Sequence, residues 1–251
     1  MLGCLYCIIS IILESNYKKI IIFSFLFLVN FSLIFWLGGR GSILAFLISA
    51  VLSISLIQTR FTIKVKNVIY TLGLIIISCI ISIPFSVYQW NGLNRFFRLS
   101  QDPDLTLDRF STGRVDLWIE SVNLISKNIL IGYGPEAHIF ETKIGFLQPH
   151  NFVLQFLLEF GLLGCLLFLI ILYYIIKKSL DNIRINCNIN NLFCFSVIIS
   201  IAIHGLYDGT LYHAPPIIIF CIGSAYIFSE FLKRNNILTK YQVSNVKTNE
   251  K

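Results

Sequence analysis

The chain is a succession of long apolar runs separated by short polar connections. Six runs are candidates for membrane-spanning helices, and they cover residues 20–37, 42–57, 67–89, 151–176, 191–209 and 214–232. An α-helix rises 1.5 Å per residue, so about 20 apolar residues cross a bilayer. The opening apolar block, residues 2–13, is too short to count as a span. The pattern predicts an all-α, polytopic transmembrane bundle.

Composition points to the same class of protein. Hydrophobic residues make up 56% of the chain and charged residues 13%, whereas soluble domains carry roughly 45–50% and 25%. The seven cysteines are odd in number and lie mostly inside apolar runs, so we expect no disulfide framework. Cys4 and Cys7 form a lone CxxC, which we interpret as packing residues. A soluble globular protein, a disordered chain and a secreted disulfide scaffold are excluded.

The basic residues predict the orientation in the membrane, because basic connections stay in the cytoplasm. Four connections at alternate ends of the spans carry thirteen basic and four acidic residues. Residues 90–150 carry six basic and seven acidic residues, which indicates a large periplasmic loop. Two further external connections are predicted, the tight turns at 38–41 and 209–213. One membrane domain, 1–232, precedes a cytoplasmic tail, 233–251. The net charge of +7 therefore reflects topology and not nucleic-acid binding.

The stretch TGRVDLWIESVNLISKN predicts an amphipathic helix within the loop. Its apolar positions recur at helical spacing, and they are Val115, Trp118, Ile119, Val122 and Ile125. We expect this helix to lie at the outer membrane interface, with Trp118 as an anchor and Ser111 or Thr112 as a cap. Arg114 then falls in the first turn, where a cation opposes the helix dipole and suggests a bound anion. The alternative is a surface arginine paired with Asp116 or a lipid headgroup.

His150 is the candidate base. Pro149 fixes the approach of the chain and Asn151 is a plausible N-cap, so His150 precedes a helix N-terminus at the outer face. The positive helix end favours a neutral imidazole there, which can accept a proton. The alternative is a histidine that only caps or hydrogen-bonds the loop.

Other candidates flank the two external turns. Arg40 lies in GGRGS, whose glycines allow a ligand to approach closely, although a snorkelling arginine explains it equally. In HGLYDGTLYHAPP, His204 and Asp208 are four residues apart and could orient a catalytic group or form an interhelical hydrogen bond. His213 lies beyond them. Two aspartates in DPD, residues 102–104, match a metal-binding pattern but are explained by turn chemistry, and Glu159 has no assigned role.

Five stretches, in this order, resemble the O-antigen ligase and O-antigen polymerase superfamily. They are GGRGS with the apolar run after it, TGRVDLW, IGYGP, PHNFVLQFLLEFGLLG and HGLYDGTLYHAPP. The similarity runs from about Arg40 to about Phe228. By position, Arg40 and Arg114 are similar to the diphosphate-binding arginines of the family, and His150 is similar to its catalytic histidine. Four further residues are candidates for a supporting role: Asn151, His204, Asp208 and His213.

The resemblance implies a GT-C-like membrane glycosyltransferase at the bacterial inner membrane. It would take a glycan from an undecaprenyl diphosphate carrier on the periplasmic side and join it to an acceptor hydroxyl. The acceptor is the lipid A core sugar in a ligase and a carrier-linked repeat unit in a polymerase. Fixed arginines stabilise the diphosphate leaving group without a metal or other cofactor, and a histidine base gives inversion.

Two alternatives remain open at the sequence level. A transporter or flippase for a lipid-linked substrate would need broken or polar helices near the midplane, and the mid-span breakers are few: Gly73, Pro84, Gly164 and Gly223. Superfamily members usually have more spans before GGRGS. We therefore expect a shortened or fragmentary reading frame, or a chain whose missing helices come from a partner chain. An inactive structural partner is a third alternative.

Overall fold

A computed structural model describes residues 1–61, 63, 65–84, 106, 111, 113–141 and 148–249, with side chains as far as Arg234. Every regular element in these ranges is helical. The elements are α1 (Leu2–Leu13), α2 (Tyr17–Trp36), α3 (Arg40–Gln58), α4 (Val65–Ser82), α5 (Arg114–Ile125), α6 (Ala137–Glu141), α7 (Phe152–Ile185), α8 (Ile189–Gly205), a 3₁₀ helix (Thr210–Tyr212) and α9 (Ala214–Asn249).

Five of the helices are long and apolar enough to cross a membrane: α2, α3, α4, α7, and α9 as far as Arg234. They coincide with five of the six predicted runs. The sixth run corresponds to α8, an apolar helix of 17 residues. The run predicted over 67–89 ends as a helix at Ser82, and residues 85–89 lie outside the described ranges. The chain is a polytopic helical membrane protein.

Asparagine side chains begin two helices, and a glycine turn separates two others. The side chain of Asn16 accepts a hydrogen bond from the N–H of Lys18 at the start of α2, and Asn188 does the same for Asn191 at the start of α8. Each cap satisfies an N–H that has no partner within its helix. Gly38 adopts a φ of 65° after α2, a left-handed conformation that lets the chain reverse into α3 at once.

The short helix α1 forms the centre of the bundle. It packs against α2, α3 and α8, and eight of its twelve residues are buried. Cys4 and Cys7 are among them, with 0% and 4% of their surface exposed, which fits their interpretation as packing residues. Beside α1, the rings of Phe27, Phe31 and Phe46 pack with centroids 4.6 to 6.1 Å apart.

Helix α7 is broken at Gly161, where φ is 64° and ψ is −168°. In a straight helix, the N–H groups of Leu162 and Leu163 would donate to the carbonyls of Leu158 and Glu159. Here both N–H groups donate to the loop carbonyls of Ile129 and Leu130, at 2.8 and 3.5 Å. The carbonyls of Leu158 and Glu159 accept from the loop N–H groups of Tyr133 and Gly134, at 2.8 and 2.9 Å. Four bonds to one loop thus replace two helical bonds.

The sequence did not predict this break. Among the expected mid-span breakers Gly164 is the nearest, and it lies within the helix three residues further on. The reason is that the loop, not local propensity, stabilises the kink. A Cβ at Gly161 would overlap the carbonyl of Leu130, and a Cβ at Gly132 would lie 2.6 Å from the nitrogen of Gly161. Only glycine permits two backbones to approach this closely.

Candidate functional site

Three hydrogen bonds fix the segment that carries His150. The indole N–H of Trp118 on α5 donates to the carbonyl of Pro149 at 2.8 Å. On the other side, the side chain of Asn151 accepts from the N–H groups of Val153 and Leu154 at 2.9 and 3.2 Å, which confirms the predicted N-cap of α7. Between these anchors, His150 has a φ of 52°. A left-handed non-glycine residue is uncommon and costs stability, and such residues cluster at functional sites.

His150 pairs with Asp208, which follows α8. The imidazole Nδ1 lies 3.0 Å from the carboxylate Oδ1, and the same oxygen accepts the N–H of Gly209 at 2.9 Å. The hydrogen bond from His150, the Gly209 N–H and the positive charge of Arg114 together lower the pKa of Asp208 to about 2. An ionised carboxylate only accepts hydrogen bonds, so Nδ1 carries the proton. In the neutral ring, Nε2 is then the nitrogen with a free lone pair.

The pair is accessible to a ligand. The side chain of His150 is 27% exposed and that of Asp208 is 40% exposed. Among the described residues, the His150 ring has a hydrogen-bond partner at Nδ1 and none at Nε2, which is the arrangement of a general base with its orienting group.

Arg114 lies against the same turn. It is the first residue of α5, as predicted, and its guanidinium Nη1 donates to the carbonyl of Tyr207. The helix begins after Gly113, which has a φ of 78°, and the hydroxyl of Ser111 accepts the N–H of Val115 at 3.2 Å. The N-cap residue is therefore Gly113 and not Ser111, although the hydroxyl of Ser111 still satisfies one N–H group of the first turn. The other predicted cap, Thr112, lies outside the described residues.

The predicted helix is present, and its two sides have different neighbours. Leu117, Ser121 and Ile125 are buried on the side that packs against α7. On the opposite side, Ile119 and Val122 are 56% and 52% exposed. The apolar face that the sequence predicted is therefore divided: Ile119 and Val122 are directed away from the protein, whereas Ile125 is buried and the Trp118 indole binds Pro149.

The start of α3 reaches the same turn from another direction. The hydroxyl of Ser42 lies 2.9 Å from Nε2 of His204, and Nδ1 of His204 is hydrogen-bonded to the hydroxyl of Thr210. A Cβ at Gly41 would lie only 3.6 Å from the side chain of Tyr207. Arg40, the first residue of α3, is therefore at the end of the bundle where Arg114 and Asp208 meet.

His204 and Asp208 do not lie on the one helical face that their spacing suggested. Helix α8 ends at Gly205, so the two side chains do not share a helical face. Asp208 orients His150, and His204 binds Ser42 and Thr210. The side chain of His213 is exposed and makes no hydrogen bond within the described ranges. Residues 102–104, the DPD stretch, lie outside them.

Four contributors to the site were not predicted from sequence: Ser42, Thr210, the carbonyl of Tyr207, and the indole of Trp118 as a clamp on Pro149. Serine and threonine are common in apolar helices. Every residue has a backbone carbonyl, so the sequence does not indicate which carbonyl accepts a bond from an arginine. Only the position of Trp118 on a helix just before the PHN stretch could have suggested its contact.

A family model described as O-antigen ligase matches residues 3–169, about two thirds of the chain. No curated protein and no solved structure matches. The matched range begins well before Arg40 and includes Arg114, His150 and the break at Gly161. The turn that carries Asp208 lies beyond it.

Proposed function

This chain belongs to the O-antigen ligase family, and on that premise we propose that it transfers a glycan from undecaprenyl diphosphate to an acceptor hydroxyl. Membership indicates a glycosyltransferase-like membrane enzyme that uses a lipid-linked glycan and a saccharide. The proposal goes further: it locates the reaction at the periplasmic face of a bacterial inner membrane, within a GT-C-like bundle. The acceptor is the lipid A core sugar or a carrier-linked repeat unit.

In this proposal His150 is the general base. Its Nε2 accepts the proton of the acceptor hydroxyl while the hydroxyl oxygen attacks the anomeric carbon. The bond from that carbon to the phosphate oxygen breaks on the opposite face, so the configuration inverts. Asp208 holds the ring and stabilises the imidazolium that forms. General-base help of this kind is worth about 10²–10⁴-fold.

Arg40 and Arg114 stabilise the leaving group. Negative charge develops on the diphosphate as the glycosidic bond breaks, and fixed guanidinium groups offset it with no reorganisation at the moment of reaction. Both arginines begin helices at the end of the bundle where Asp208 lies. The proposal assigns this task to guanidinium groups rather than to a metal ion.

One observation carries the proposal: the 3.0 Å contact between His150 and an ionised Asp208, with Arg114 bonded to the residue before that aspartate. The experiment is glycan transfer by the purified chain in vesicles, with carrier-linked glycan and acceptor supplied from outside. We expect product from the wild type, and a loss of about 10²–10⁴-fold in His150→Ala with unchanged donor binding. Near-normal product from His150→Ala would refute the assignment.

A second candidate function is transport of the lipid-linked substrate. The break in α7 favours it, because discontinuous helices form binding sites in transporters. Against it, the carbonyls of Leu158 and Glu159 and the N–H groups of Leu162 and Leu163 are all bonded to the loop, so they are already satisfied without a substrate. The same vesicles distinguish the two functions, since transport moves the substrate without converting it.

A further inference from the structure

A second carboxylate, Glu159, lies at the break in α7 and has no part in the chemistry described above. Its side chain is buried, with 3% of the residue exposed. One oxygen, Oε1, accepts three hydrogen bonds: from the N–H of Glu136 at 3.1 Å, from Nε2 of Gln155 at 3.2 Å, and from the hydroxyl of Tyr212. A buried carboxylate is stable only when it is bonded in this way.

Tyr212 connects this carboxylate to the site. It ends the 3₁₀ helix that begins two residues after Asp208. At the start of that helix, the hydroxyl of Thr210 is bonded to His204. The segment that follows Asp208 is therefore held at two residues: Thr210 is bonded to His204, and Tyr212 is bonded to Glu159.

The bond between Tyr212 and Glu159 has a fixed direction. Tyr212 is 39% exposed as a residue, and the partial removal of its phenol from water, together with the carboxylate of Glu159, raises the pKa of Tyr212 to about 12. The phenol consequently stays protonated at physiological pH and donates to the carboxylate. The link persists across the pH range in which the enzyme would work.

Two further contacts join the same parts of the molecule. The N–H of Glu136 brings in the loop that follows α5, the helix of Arg114. Gly209, next to Asp208, packs so closely on the side chain of Gln148 that a Cβ would overlap it. Small movements of the turn would therefore change its fit against the segment of His150.

We propose that Glu159, acting through Tyr212, is a positioning residue that holds the turn of Asp208 against His150. The inference rests on the proposed function. Glu159 is not a catalytic residue, because it is buried and its Oε1 already accepts three donors. Its contribution is to keep the Nδ1–carboxylate contact short, and so to keep Nε2 of His150 directed at the acceptor.

The test is a double-mutant cycle with Tyr212→Phe and Asp208→Asn, read as kcat and KM in the vesicle assay. Tyr212→Phe keeps the ring and removes the bond to Glu159. We expect kcat to fall about tenfold, the effect of one hydrogen bond to a charged group, with KM for the donor unchanged.

In the Asp208→Asn background, the same substitution should have little further effect, because no carboxylate remains to be positioned. Tyr173→Phe, on the exposed far part of α7, is the matched control and should leave kcat unchanged. An equal loss from Tyr212→Phe in both backgrounds would overturn the proposal and indicate a general loss of stability. Unchanged kinetics in Tyr212→Phe would also overturn it.

A spectroscopic readout separates this inference from the proposed function. In the histidine-labelled full chain, the Nδ1–H proton of His150 should give a resonance typical of a bond to a carboxylate. Tyr212→Phe should weaken it, Glu159→Gln should preserve it because an amide oxygen still accepts, and Tyr173→Phe should not change it. If the wild type makes no product, the proposed function fails, and this resonance still decides the positioning role. Its persistence in Tyr212→Phe would reject that role.

Discussion

Asp208 and Glu159 are carboxylates at the same end of the bundle with opposite surroundings. Asp208 is 40% exposed, bonds to a neighbouring N–H and holds one nitrogen of a histidine. Glu159 is 3% exposed, and one of its oxygens accepts from three donors. The difference shows that the surroundings of a carboxylate decide whether it stabilises the fold or takes part in the reaction. A saturated carboxylate fixes backbone segments, whereas an accessible carboxylate beside a titratable ring can support proton transfer.

A substitution at the break in α7, near Glu159, should have the largest effect. Gly161→Ala places a Cβ against the carbonyl of Leu130 at a positive φ, and we expect it to cost at least about 2 kcal/mol of stability. The measurement is the Tm of the purified protein in detergent. Gly73→Ala is the control, since a Cβ at Gly73 meets nothing within 4 Å. Equal Tm values for the two variants would show that the loop does not hold the break.

Removing the charge of Asp208 should leave the fold intact. Asp208→Asn preserves the shape of the side chain and removes its charge, so we expect turnover to fall about 10²-fold with little change in Tm. Since the pKa of Asp208 is about 2, the carboxylate stays ionised between pH 5 and 9. The charge that Asp208→Asn removes is therefore present in the wild type throughout that range. Near-wild-type turnover in Asp208→Asn would argue against an orienting role.

Arg114 offers a smaller and more specific test. A lysine keeps the charge but loses the planar fork that matches a diphosphate, so Arg114→Lys should lower kcat/KM about tenfold. Arg184→Lys is the matched control, because Arg184 is exposed at the opposite end of α7. Titration with undecaprenyl diphosphate measures the binding part of the loss. Similar binding and turnover in the two variants would remove Arg114 from the site.

Ser42→Ala should have the smallest effect. It removes one of the two hydrogen bonds of His204 and leaves the bond to Thr210. A neutral hydrogen bond contributes about 1 kcal/mol, so turnover should fall less than about fivefold. The steady-state rate measures this effect. A loss as large as that of Asp208→Asn would mean that His204 takes part in the reaction itself.

The sequence predicted the parts of this picture that depend on local pattern. The apolar runs gave the helices, the PHN stretch gave the cap on α7, and the spacing after Thr112 gave α5. Arg114 and His150 were predicted to lie on one side of the membrane, and the structure brings them to the same turn through Tyr207 and Asp208.

The rest depends on contacts between distant segments. The break at Gly161 is stabilised by a loop about 30 residues earlier, and the glycines of IGYGP were visible only as a turn. The expectation that His204 and Asp208 share one helical face was wrong, because α8 ends at Gly205, before Asp208. Glu159 stood out as a charge inside an apolar run, but its partner Tyr212 is 53 residues away. Sequence spacing does not specify such pairs.

The most direct test of the central claim is the single-turnover rate of glycan transfer, measured with donor saturating, in the wild type and in His150→Ala. The account predicts equal donor affinity and a transfer rate at least about 10²-fold lower in the variant. A His150→Ala rate within about threefold of the wild-type rate, well below the loss expected for a general base, would contradict it.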